Sequence, residues 1–209
     1  VPPAVFHQRL RELTTTHGML LMVDEVQSGM GRTGKMFAIE HFGVEPDVVT
    51  AAKGIASGMP LGVTLARADV MTWPPGAHAS TFGGNPVSCA AAIATIQLLR
   101  DTLVANAADV GAHMIAGLAA LKDKHPIIGD VRGKGLMIGV ELVRDRVTKE
   151  RATTERDRVV DEAFARGLLI LGAGRNAVRF SPPLVLSKAQ ADTAVRIFDE
   201  SLTAITAGH

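Results

Sequence analysis

Two charged residues each close an apolar, β-branched run in this chain. Asp24 ends Leu20-Leu21-Met22-Val23, and Lys53 follows Val48-Val49-Thr50-Ala51-Ala52. Strands of an α/β sheet stop in this way where their carboxyl ends meet a ligand crevice. A third segment, Ser80-Thr81-Phe82-Gly83-Gly84-Asn85-Pro86, sets a hydroxyl among glycines just before a helical run. Free backbone amides beside a helix N-terminus suit a phosphate, and the same pattern equally makes a plain helix-entry turn.

Lys53 precedes Gly54-Ile55-Ala56-Ser57-Gly58. Such small, apolar surroundings predict a partly desolvated amine, the nucleophile that condenses with an aldehyde. A lysine at one strand end and an acid at the next match the needs of pyridoxal phosphate: the amine meets the aldehyde, and the acid keeps the pyridine nitrogen protonated so that the ring accepts electrons from a substrate carbanion.

The run Gly29-Met30-Gly31-Arg32-Thr33-Gly34-Lys35-Met36 imitates two nucleotide-binding patterns and fails both. A P-loop needs a hydroxyl after its lysine to hold Mg²⁺, and Met36 has none. A dinucleotide fingerprint needs its first glycine at the strand end and an acid closing the next strand. Here Asp24 to Ser28 intervene, and the next strand closes with Lys53. The glycine loop is read as shaping the crevice beside Asp24.

Through Asp24-Glu25-Val26-Gln27-Ser28-Gly29 with Gly31-Arg32-Thr33-Gly34, then Ala52-Lys53-Gly54, then Ser80 to Pro86, the chain resembles the later half of a class III (ω-type) aminotransferase of fold-type I. The resemblance implies an α/β fold: the later part of a large, mostly parallel-sheet domain over residues 1–100 and a smaller C-terminal α/β domain over 101–209. It implies that Lys53 carries pyridoxal 5'-phosphate as a Schiff base and that Asp24 pairs with the pyridinium nitrogen. Val26 would pack on a ring face, and Gln27 would hydrogen-bond near the phenolic oxygen. Thr81 would bind the cofactor phosphate of the neighbouring subunit in a homodimer with shared active sites.

The implied activity is two-stage transfer of an amino group from 4-aminobutyrate, ornithine or acetylornithine to a 2-oxo acid such as 2-oxoglutarate, nearest to the 4-aminobutyrate branch. Similar sequences include amino-acid racemases and epimerases, which would use the same lysine, acid and phosphate groups. A third reading is a fragment without activity of its own, because the family's earlier half carries the glycine-rich phosphate loop, an aromatic that stacks on the ring and a switching Glu.

Arg179 stands in Ala177-Val178-Arg179-Phe180, where a guanidinium in an apolar strand calls for an anion. In similar enzymes the matching arginine grips a substrate carboxylate; the alternative is a structural ion pair. Glu25 points away from Asp24 on a strand and is read as structural. The seven histidines show no metal-ligand spacing, so no metal is expected.

The elements that must place these residues alternate along the chain: a helix at 4–17, strands at 19–24, 47–52 and 61–66, a short helix at 36–41 and an Ala-rich helix from Pro86 to about Leu99. The helical pattern then continues or kinks into 110–124. Strands follow at 127–132 and 136–143, a helix at 153–166, strands near 168–171 and 177–181, and a helix from Lys188 to Thr206 capped by Ser187.

With 47% hydrophobic residues and a net charge of +1 over 209 residues, the chain can bury a core and lacks the basic stripe a nucleic-acid surface needs. The single Cys89 excludes an internal disulfide framework. No apolar stretch is expected to reach the ~18 residues of a membrane span. The sequence predicts a cytoplasmic protein acting on small molecules.

Overall fold

In the computed structural model, which describes residues 1–206, the chain divides after Ala105 into two units. The first begins with α1 (Phe6–Thr16). Its end is a Schellman turn: Gly18, at φ +62°, donates to the Thr15 carbonyl, and Met19 donates to that of Thr14. Next come β1 (Met22–Asp24), a 3₁₀ turn (Ala38–Phe42) stopped by Gly43, β2 (Val48–Ala51), a 3₁₀ turn (Lys53–Ala56), β3 (Val63–Ala66) and α2 (Pro86–Leu98).

The sheet order is β1-β2-β3. β1 and β2 run parallel, with Met22 opposite Val48 and Asp24 opposite Thr50. β3 returns antiparallel to β2, because the stretch from 52 to 62 is too short for a crossover to a parallel strand. Leu21, Ile39 and Val44 form a small core with Leu10, Val23, Phe37 and Phe42 packed against it. The buried carboxylate of Asp47 ties this unit together through Arg11 at 2.7 Å, Arg67 at 2.8 Å and the Leu21 amide at 2.7 Å.

α2 starts with Asn85 as its cap, whose side-chain oxygen accepts from the Ser88 amide at 2.9 Å, and with Pro86 in the first turn. It passes through a π-turn (Leu99–Leu103) into α3 (Val104–Lys124), giving a helical run of 39 residues. One 18-residue window of that run has a mean hydropathy of 1.4, so by length and composition it is apolar enough to cross a membrane. This corrects the expectation that no stretch would be. Only 17% of that window is buried; further along the run, α3 buries Ala107, Val110, Met114 and Leu118 against protein.

The second unit is an antiparallel sheet of order β4-β5-β7-β6, from β4 (Ile128–Lys134), β5 (Met137–Leu142), β6 (Leu171–Ala173) and β7 (Ala177–Phe180). Together with α3, two further helices, α4 (Thr153–Ala165) and α5 (Lys188–Thr206), contribute to its core. Alternate residues Ile138, Val140, Leu142, Val178 and Phe180 are buried with Met114, Leu118, Phe198 and Leu202, each worth roughly 1.5–3 kcal/mol. Ser187 and Gln190 form a reciprocal capping box at the start of α5.

Candidate active site

The carboxyl ends of β1 and β2 lie side by side because the two strands are parallel. Asp24 is the last residue of β1, and Lys53 stands two residues beyond β2. The 3₁₀ turn that begins at Lys53 buries Ile55 and Ala56 and leaves the lysine exposed. The desolvation expected from the small, apolar neighbours is therefore not supplied within this chain: those side chains turn into the unit while Lys53 turns out.

Lys53 adopts φ +50°, in the left-handed region that favours glycine. A lysine held there costs on the order of 1–2 kcal/mol. Its Nζ donates to Oε1 of Gln27 at 2.5 Å. Gln27 and Val26 belong to the turn that leaves β1, and Oδ1 of Asp24 accepts from the Val26 amide at 2.9 Å. Asp24 is exposed, and Oδ2 has no hydrogen-bond partner among the described residues.

The structure thus brings together Asp24, Val26, Gln27 and Lys53. Thr81 lies in the same unit, in the exposed bend before α2, and has no hydrogen bond to these four among the described residues. Arg179 belongs to the second unit. It sits on β7 opposite Gly139 and Leu171, is half-buried and has no ion pair among the described residues. Beside it is a cleft of about 550 Å³ lined by Leu171, Ser181, Pro182 and Gln190 among others.

The supporting contacts of three residues were not legible in the sequence. Glu25, buried as a residue facing away from Asp24 should be, accepts from Ser28 and from the Ile39 amide. His41 Nε2 meets the Thr33 carbonyl at 3.0 Å and fastens the glycine loop. Ser57 bonds Thr95 of α2 at 3.0 Å. Only the S/T and His residue types hint at such ties; their partners are set by tertiary packing.

The donor set fits pyridoxal phosphate: a primary amine, an exposed carboxylate with one oxygen unengaged, and a hydroxyl before a helix N-terminus. A solved structure of the same fold holds that cofactor. An amine transaminase from an uncultivated Pseudomonas species, in its PLP-bound (internal aldimine) form, superposes with a TM-score of 0.91 at 38% identity over 98% of this chain and 49% of its own. The fold is that of the fold-type I pyridoxal phosphate enzymes.

Residues 1–202 match the family described as Aminotransferase class-III, and the chain belongs to that pyridoxal phosphate-dependent family. A leucine/methionine racemase of Thermococcus litoralis is 44% identical over all of this chain and 47% of its own length. An acetylornithine aminotransferase of Gloeobacter violaceus is 43% identical over 93% of this chain and 47% of its length. The chain spans about half the length of these curated relatives.

Proposed function

We propose that this chain provides the lysine-bearing part of a pyridoxal phosphate-dependent aminotransferase that moves an amino group from an ω-amino acid of the 4-aminobutyrate, ornithine or acetylornithine type to a 2-oxo acid such as 2-oxoglutarate. The observation that carries the reading is the Lys53–Gln27 hydrogen bond beside Asp24 at the ends of two parallel strands. The cofactor, when bound, supplies an aldehyde for amines and a cationic ring that accepts electrons from the carbon losing a proton.

Lys53 is the covalent attachment point, and its Nζ, once released, moves the proton at the substrate carbon. Asp24 holds a proton on the ring nitrogen through its unengaged oxygen. Gln27 restrains the lysine amine, and Val26, half-buried in the same turn, offers the apolar contact for a ring face. We assign the phosphate of a second copy's cofactor to Thr81, which makes the working unit a homodimer, and a substrate carboxylate to Arg179. A cytoplasmic location belongs to the same reading.

The 44% identity to a racemase favours a second reading, amino-acid racemisation or epimerisation by the same groups. One experiment separates the two. The chain is supplied with pyridoxal phosphate and incubated with single amino donors, with and without 2-oxoglutarate. Glutamate formation that Lys53→Ala abolishes supports amino transfer. Conversion of one enantiomer to the other without any oxo acid supports racemisation and sinks the transferase. Absence of both reactions with every donor supports the third reading, a chain without activity of its own, and leaves the cofactor role of Lys53 to be read from reductive marking by pyridoxal phosphate.

A further inference from the structure

Glu25 is buried beside Asp24, at 1% exposure, and nothing in the proposed chemistry uses it. Its backbone and side chain are all engaged. The amide donates to the Thr50 carbonyl at 2.8 Å, continuing the β1–β2 ladder, and the carbonyl accepts from Gly29 at 2.9 Å. Oε1 accepts from the Ile39 amide at 2.8 Å, and Oε2 accepts from the Ser28 hydroxyl at 2.5 Å.

These bonds close the turn 25–29 at both ends and fix it to the 3₁₀ turn Ala38–Phe42. The closure is tight enough that a Cβ at position 29 would stand 2.7 Å from the Glu25 carbonyl oxygen, so only glycine fits. The residues carried on that turn are Val26 and Gln27. Gln27 is itself exposed and bonds only Lys53 among the described residues, so its amide has no other anchor than the backbone of this turn.

We propose that Glu25 is a positioning residue: its buried carboxylate, through Ser28 and the Ile39 amide, sets the turn so that the Gln27 amide meets Lys53. This deepens the assignment of Lys53 made above and rests on it for its functional meaning. The geometry divides the two adjacent acids by face. Asp24 points outward to the ligand side, and Glu25 points inward and aims the residues that follow.

The test reads the lysine without cofactor. Competitive acylation with acetic anhydride, followed by peptide mapping, gives the reaction rate of Lys53 relative to the chain's other lysines. Gln27→Ala frees the amine and raises that relative rate by about threefold, the equivalent of one modest hydrogen bond. Glu25→Ala produces the same rise, and the double variant adds nothing further, as expected when one residue acts through the other. Glu25→Gln, which keeps an acceptor for Ile39 and can donate to Ser28, restores most of the wild-type rate. Ser28→Ala gives an intermediate value.

If Glu25→Ala and Ser28→Ala lower thermal stability but leave the Lys53 rate at its wild-type value, the carboxylate is structural only and the proposal falls. If Glu25→Ala does not fold, Ser28→Ala decides by the same criterion. Reductive trapping of pyridoxal phosphate on the wild-type chain keeps the two claims apart: failure to mark Lys53 would remove its cofactor role and leave the acylation result standing.

Discussion

The Ser57 hydroxyl donates to that of Thr95 at 3.0 Å, and the direction is fixed because Thr95 gives its own proton to the Ala91 carbonyl, 2.8 Å away. This bond fastens the Lys53 turn to α2. Ser57 is left-handed, at φ +48°. Ser57→Ala loses the bond and keeps the backbone cost, whereas Ser57→Gly loses the bond and relieves the cost. Thermal unfolding is expected to show both variants destabilised, with glycine the milder by about 1 kcal/mol.

Asp47 carries a pH dependence. Its carboxyl is held below the ordinary range by the Leu21 amide first and by the Arg11 guanidinium next, against the opposing effect of burial. A folded-state value below the unfolded one means that the stabilisation is complete above about pH 4 and is lost as pH falls through the lowered value. Asp47→Asn should therefore lower the melting temperature at pH 7. The gap from the wild type should narrow in scans below about pH 4.

Gly111 of α3 lies against the β4–β5 turn so closely that a Cβ would stand 2.2 Å from the backbone of Gly135. Backbone on both sides leaves no flexible group to yield. Gly111→Ala is expected to cost about 3 kcal/mol or more, read as lost protection of β4 and β5 amides in hydrogen exchange.

Substitutions at Thr81 and Asn85 should separate the phosphate role proposed for Thr81 from stability. Thr81 is exposed, so Thr81→Ala should change stability by no more than about 0.5 kcal/mol while weakening pyridoxal phosphate binding. Asn85→Ala removes the cap of α2 and should cost about 1 kcal/mol in a denaturant melt.

Much of this architecture can be read from apolar periodicity and punctuation, and the departures have local causes. Met19 and Leu20 read as the start of β1, but Met19 closes the Schellman turn of α1 and the strand begins at Met22. Leu168 to Ile170 read as a strand for the same reason. Gly167, at φ +86°, and the Leu168 amide close α4, and β6 begins at Leu171. The π-turn at Leu99–Leu103 has no composition signature, so periodicity alone does not decide between a continuing and a kinked passage from α2 to α3; the helical run continues.

At the site, residue types and spacing marked Asp24 and Lys53, because a charge ending a β-branched run is visible in sequence. The exposure of Lys53 was not visible. It depends on which members of Gly54 to Gly58 turn inward, and that is decided by packing of Ile55 and Ala56. The contacts of Gln27 with Lys53 and of Glu25 with Ile39 join positions distant in sequence and follow from the parallel pairing of β1 with β2 and the docking of the 3₁₀ turn.

The central claim is that Lys53 is the cofactor lysine, and borohydride reduction after addition of pyridoxal phosphate tests it most directly. Peptide mapping should find the reduced adduct mainly on Lys53, with little on Lys35, Lys122 or Lys124, and Asp24→Asn should weaken that preference. An adduct spread evenly over the exposed lysines, with Lys53 no more marked than the rest, would contradict it.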